Sequence, residues 1–84
     1  MKNITMYTGP FCNFCEAAKR LLVRNNLNYK EIDISTKDSL RDEMIKKANG
    51  KRTIPQIFFD DHHVGGYQEL RELEKKGELD NLLK

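Results

Sequence analysis

Two cysteines stand three positions apart in PFCNFCEAAKR, residues 10 to 20, and the chain has no others. Cys12 and Cys15 at this spacing suit a structural disulfide, a metal site or thiol–disulfide exchange. A staple stabilises more as the loop it closes lengthens, and this loop is minimal. Small domains that depend on disulfides usually carry four or more cysteines. A zinc site needs further ligands, and His62 and His63 are of the right type. Adjacent histidines do not match the spacing of zinc-finger ligands, however, so no metal is expected. Exchange is the leading chemistry. It sets a condition: only the thiolate attacks a disulfide, and a cysteine with the ordinary pKa of about 8.5 is only a few per cent ionised at neutrality.

The elements around the pair must meet that condition. NITMYT, residues 3–8, alternates β-forming residues and ends in Gly9-Pro10, which predicts a strand followed by a loop. From Cys12 onward Cys15, Ala18 and Leu22, with Leu21 and Asn25 on a neighbouring row, fall at helical spacing and predict an amphipathic helix ending near Asn25-Asn26. Cys12 then stands where unpaired backbone N–H groups and the positive end of the helix dipole converge. The dipole contributes roughly 0.3–1 kcal/mol, up to about 2 when sheltered, against about 1.36 kcal/mol per pKa unit. It therefore accounts for about one unit, and any larger shift requires direct N–H···S hydrogen bonds. Cys15, one turn further in on the apolar face, is expected to be buried and to remain a thiol. Cys12 is the attacking sulfur and Cys15 the resolving one.

The rest of the chain supplies a frame. YKEIDI, 29–34, reads as a half-buried strand and completes a βαβ unit. STKD, 35–38, has the capping-box form; Leu40, Met44 and Ala48 follow at intervals of four, Met44 as a core residue, and Gly50 closes a second helix as its C-terminal cap. TIPQIFF, 53–59, is a β-rich run, DDHH a turn and HHVGG a return strand. Pro55 alone reads as an edge-strand proline. Leu70 and Leu73 mark a third helix stopped at Gly77, and ELDNLLK adds a last apolar turn. The order β-α-β-α-β-β-α describes an α/β protein with a mixed four-stranded sheet flanked by helices. A C-x-x-C beside a βαβ unit is the thioredoxin-like redox signature.

With 84 residues, 38% hydrophobic and 33% charged, the chain is expected to form a single domain, residues 1–84, with no disordered tail. Fifteen basic and thirteen acidic residues, mixed along the chain for a net charge of +2, leave no nucleic-acid footprint. No apolar run approaches the roughly 20 residues of a membrane span, and the N-terminus lacks the pattern of a signal peptide. A soluble, cytoplasmic protein is expected.

MYTGPFCNFCEAAKRLL, KRTIPQIFFDDHHVGGYQEL and GELDNLLK together resemble bacterial glutaredoxins of the dithiol class, close to the glutaredoxin 3 group, over essentially the whole chain. The resemblance implies a thioredoxin fold with a cis Ile54–Pro55 bond beside the cysteines. It also implies a glutathione-dependent oxidoreductase that reduces protein disulfides and glutathione mixed disulfides. Glutathione is then a co-substrate, and no cofactor is bound permanently. Partners would be disulfide-bonded or glutathionylated proteins, with ribonucleotide reductase one candidate, and a monomer is expected. Glutathione is an extended peptide with two carboxylates. The positions implied for it are Phe14 beside the thiols, the backbone of Thr53, Ile54 and Pro55, the cations Lys51 and Arg52, and Gly66, Tyr67 and Gln68 at a helix start. Three of these have a plainer role: Phe14 as a loop aromatic that only shields the thiols, Gly65-Gly66 as a simple turn, and Lys51-Arg52 as a solvated loop.

The chain departs from the family pattern at four points. Asn13 and Phe14 replace the usual Pro-Tyr between the cysteines. Gly9 stands where a lysine is common, and its absence should raise the Cys12 pKa and weaken glutathione binding. Gln68 replaces an aspartate that accepts from the γ-glutamyl ammonium, with Glu69 a partial substitute. The alternative function is a [2Fe–2S] carrier in which Cys12 of two subunits and two glutathiones hold the cluster, an option that Asn13 leaves open.

Overall fold

A computed structural model describes residues 1–84. The elements are β1 (Ile4–Thr8), α1 (Asn13–Arg24), β2 (Lys30–Asp33), α2 (Asp38–Lys47), β3 (Gln56–Phe59), β4 (His62–Gly65), α3 (Tyr67–Lys76) and α4 (Leu79–Leu83). The sheet runs β2-β1-β3-β4. β1 pairs in parallel with β2 through Thr5–Lys30 to Thr8–Asp33, and antiparallel with β3 through Ile4–Phe59 to Tyr7–Gln56. β3 and β4 form an antiparallel hairpin with an irregularity between Ile57 and Phe58. This is the expected mixed four-stranded thioredoxin fold. No helix is long and apolar enough to cross a membrane.

The two-residue period of the central strands divides the core between the sheet faces. Ile4 and Met6 of β1 and Ile57 and Phe59 of β3 pack with Ala18, Leu21 and Leu22 of α1, Leu70 of α3, and Leu79 and Leu83 of α4. On the other face Tyr7 and Phe58 meet Met44 and Ala48 at α2. The buried Tyr7 is satisfied by donating its hydroxyl to Glu43 Oε2 at 2.6 Å. Burial first, then this carboxylate, raises its pKa far above that of an ordinary phenol.

Several boundaries differ from the sequence expectations. The STKD capping box does not form, because Asp33 competes for its members: Oδ1 accepts from Ser35 N–H at 2.8 Å and Ser35 Oγ at 2.6 Å, and the Asp33 carbonyl accepts from Thr36 Oγ1 at 2.8 Å. Helix α2 starts instead after Lys37, without a side-chain cap. At its other end Ala48 is the cap and Asn49 takes the left-handed position at φ 57°. Gly50, expected as the cap, donates its N–H to the Ile45 carbonyl at 2.8 Å, the outer bond of a Schellman closure. Pro55 is not an edge-strand proline: β3 lies between β1 and β4 and begins only at Gln56. The last apolar turn is a helix of its own, α4, with Leu79 and Leu83 buried. Gly77 stops α3 as expected, in a left-handed conformation at φ 70° that suits glycine.

Candidate active site

β1 delivers the chain to the site through a braced end. The Thr8 hydroxyl donates to Glu31 Oε2 at 2.7 Å, and Lys19 Nζ reaches the same oxygen at 2.8 Å. Lys19, and then Thr8, hold Glu31 below the usual carboxylate range. The turn that follows carries Pro10 and then Phe11 at φ 56°. A left-handed backbone at a bulky residue costs on the order of 1 kcal/mol. Phe11 recovers none of this through burial, since its side chain is fully exposed, at 104% of the reference area.

Cys12 is the N-cap of α1, with extended backbone at φ −116° and ψ 102°. Its Sγ accepts the Cys15 N–H at 3.1 Å. This is the direct N–H···S contact that an ionised Cys12 requires beyond the dipole. Cys15 is 1% exposed, on the same helix face as Ala18 and Leu22, while Cys12 is only partly buried. The two sulfurs are joined in a disulfide, with Cα atoms 5.2 Å apart. Across from Cys12 Sγ lies the Ile54 carbonyl oxygen at 3.8 Å. A sulfur in a disulfide has no proton to donate, so this contact becomes a hydrogen bond only when Cys12 is a thiol.

The Ile54–Pro55 bond is cis, and Pro55 is buried. From it a groove of about 260 Å³ runs to the start of α3, lined by Phe14, Thr53, Ile54, Pro55, Gly66, Tyr67, Gln68 and Glu69. Phe14 and Tyr67 stack across it, ring centroids 6.0 Å apart and planes inclined by 24°. Seven of the nine candidate glutathione positions thus line one groove. Lys51 and Arg52 are exposed and outside that lining. The cysteines and His62-His63 do not assemble a zinc site: no three His, Cys, Asp or Glu side chains converge to hold a metal.

Sequence reasoning gave three residues too small a part. Glu69, considered only as an auxiliary acceptor, lines the groove, and its Oε1 accepts the Gly66 N–H at 2.6 Å. A glutamate three residues after an N-cap glycine is a readable half of the capping box. Gln56 was not singled out, and His63 was weighed only as a zinc ligand. The buried Gln56 donates from Nε2 to the Thr53 carbonyl at 3.0 Å and to Thr53 Oγ1 at 3.2 Å. Its Oε1 therefore accepts from His63 Nε2, 2.7 Å away, which assigns that proton to Nε2. Burial, then Lys51 and His62, lower the His63 pKa, and its ring stacks on Phe58 at 4.9 Å. The chain Thr53–Gln56–His63 stiffens the segment before the cis-proline, and no local motif announces it.

A Cβ on Gly9 would fall 2.7 Å from Ile54 Cδ1. A larger residue at position nine therefore requires that methyl, the free end of the Ile54 side chain, to turn aside.

A sulfur at a helix N-cap, its buried partner one turn on and a cis-proline across from both define a thiol–disulfide oxidoreductase. Residues 4–64 match the glutaredoxin family model. The chain is 42% identical to glutaredoxin 3 of Escherichia coli K12 over 84 residues, the full length of both. A solution structure of glutaredoxin from Brucella melitensis superposes with a TM-score of 0.86 at 45% identity, covering 100% of this chain and 90% of that one. The buckwheat glutaredoxin–glutathione complex has the same fold, with a TM-score of 0.86 at 22% identity, covering 98% and 76% of the two chains. This chain belongs to the glutaredoxin family.

Proposed function

We propose that the chain is a glutathione-dependent oxidoreductase that reduces protein disulfides and glutathione mixed disulfides in the cytoplasm, acting as a monomeric single domain. The observation that carries this is the contact of Cys12 Sγ with Ile54, a wall residue of the groove, while the same sulfur holds the Cys15 N–H. The reactive atom sits at the mouth of a peptide-sized cleft.

In the reduced protein the Cys12 thiolate, stabilised by the Cys15 N–H and the α1 dipole, attacks one sulfur of the substrate disulfide. A Cys12–substrate disulfide forms, the old S–S bond breaks and the departing thiolate takes a proton from water. Cys15 then loses its proton and attacks Cys12 Sγ, giving the intramolecular disulfide and a second substrate thiol. The substrate gains two electrons and two protons. Two glutathiones reverse the change: one attacks the Cys12–Cys15 disulfide, the second attacks the resulting mixed disulfide, and oxidised glutathione leaves.

Thr53 and Ile54 offer backbone groups to the extended tripeptide, as the Thr53–Gln56–His63 chain keeps that segment in place. The first N–H groups of α3, at Tyr67 and Gln68, suit its γ-glutamyl carboxylate. Glu69 offers an acceptor to the neighbouring ammonium. Lys51 and Arg52 meet the glycyl carboxylate from outside the groove. That this fold can hold glutathione is supported by the buckwheat complex. The cluster-carrier alternative uses Cys12 alone; the pairing of Cys12 with Cys15 favours exchange.

The test is a glutathione-coupled assay on a small mixed disulfide and on a protein disulfide. Cys12→Ser should abolish both activities. Cys15→Ser should keep the first and lose the second. Activity without glutathione dependence, or an active Cys12→Ser, overturns the proposal.

A further inference from the structure

We propose that Phe11 is a docking residue for polypeptide substrates and selects those whose reactive cysteine is flanked by an apolar side chain. The inference rests on exchange at Cys12, which family membership carries, and not on the glutathione reading. Two independent features single this residue out. Its backbone is left-handed at φ 56°, a conformation that bulky residues rarely adopt. Its ring is fully exposed and packs on nothing in the chain. An aromatic ring that is strained and unburied contributes nothing to folding at this position. Phe14, the other exposed aromatic here, differs, for it stacks on Tyr67 within the groove.

The occupant follows from the chemistry at the next residue. When Cys12 forms a disulfide with a polypeptide, the partner's Cα lies roughly 4.4–6.8 Å from that of Cys12. The Cα of Phe11 is about 3.8 Å from the same atom. Residues beside the partner's cysteine must therefore pass next to the Phe11 ring. The segment that carries Phe11 and Cys12 has no charge of its own, since residues 3–15 contain no Asp, Glu, Lys or Arg although a third of the chain is charged, and the nearby charges of α2, Asp38, Arg41 and Asp42, lie beyond Pro10. What this surface rewards is apolar contact. Covering about a third of an aromatic ring corresponds to roughly a tenfold preference.

The step to be read is one exchange. The Cys12 thiolate attacks the peptide sulfur of a mixed disulfide between a cysteine peptide and a chromogenic aryl thiol. The Cys12–peptide disulfide forms, the peptide–aryl S–S bond breaks and the aryl thiolate leaves with the electron pair.

Pre-reduced Cys15→Ser protein is mixed in single turnover with two such peptides, one with leucine and one with serine on both sides of the cysteine. The leucine peptide should react about tenfold faster. Adding Phe11→Asn, which tolerates a left-handed backbone, should bring the ratio to about one by slowing the leucine peptide alone. Phe11→Tyr should retain the preference. Phe11→Asn should not lower the melting temperature, because the ring makes no contacts to lose. The proposal is overturned by an unchanged ratio in Phe11→Asn, by equal slowing of both peptides, by a lower melting temperature, or by a dimer that the substitution dissolves, which would assign the ring to a second copy.

Discussion

Helices α1 and α3 begin on opposite sides of one groove, and their starts are used in opposite ways. At α1 the N-cap is Cys12, and the N–H three residues on is given to a sulfur. At α3 the N-cap is Gly66, and its N–H is already taken by the helix's own Glu69 at 2.6 Å. Both arrangements satisfy orphan donors at the positive end of a dipole. One leaves the stabilised atom reactive. The other holds a fixed carboxylate beside the first N–H groups of α3, an arrangement that suits a zwitterion, with donors for its carboxylate and an acceptor for its ammonium. A helix start thus suits chemistry or ligand recognition according to which side chain reaches it.

The strongest break of this comparison is at α1. Cys12→Ser replaces the capping sulfur by a hydroxyl that still suits an N-cap, so the melting temperature of the reduced protein should change little while turnover falls by on the order of a thousandfold or more. A comparable loss of stability would show that the sulfur is mainly a cap. At α3, Glu69→Ala removes the cap and should cost about 1 kcal/mol in denaturant unfolding. An unchanged midpoint would detach Glu69 from the helix start. Gln68→Asp sharpens the same end, since a charged acceptor restored beside the ammonium should lower the KM for glutathione about fivefold without changing kcat. An unchanged KM would show that Gln68 does not meet the ammonium.

The smallest expected effect lies where the two helices are tied at the other end. Arg24 grips Glu74 with two bonds of 2.9 and 2.7 Å, and Asn25 adds one of 2.7 Å. Arg24, then Asn25, lower the Glu74 pKa from 4.5 to about 2. A carboxylate whose pKa is depressed by folding stabilises the protein above its unfolded value and loses that contribution on protonation. The contribution should therefore be complete above about pH 4.5 and fade toward pH 2, flattened by solvent screening of an exposed pair. Glu74→Gln should remove this part of the acid dependence of stability, and a pH profile identical to wild type would show that the pair contributes nothing.

Much of this was legible because local and global signals agree. The helical spacing of Cys15, Ala18, Leu21 and Leu22, the alternation in β1 and the stop at Gly77 each rest on one residue's intrinsic geometry repeated by its neighbours. The failures came where a side chain had two choices. Asp33 took Ser35 and Thr36 away from the α2 cap, and the left-handed closure of α2 begins one residue early, at Asn49, with Gly50 following at φ 91°. Pro55 read alone suggested an edge strand, because propensity does not reveal the isomer of its bond or the order of strands; the cis bond implied by the resemblance is the one present. The nine glutathione positions were named through family resemblance; seven line one groove, and Lys51 and Arg52 are exposed outside its lining. The Thr53–Gln56–His63 chain joins residues on two strands and a loop, and so was invisible to any local pattern.

A Cβ at position nine would meet the terminal methyl of Ile54 at 2.7 Å and no other neighbour so closely. A lysine grafted at nine will turn that methyl aside before its own chain extends toward any anion. Pairing the graft with Ile54→Val, which removes the methyl in question, should leave the new cation freer to swing toward the sulfur than the single substitution does.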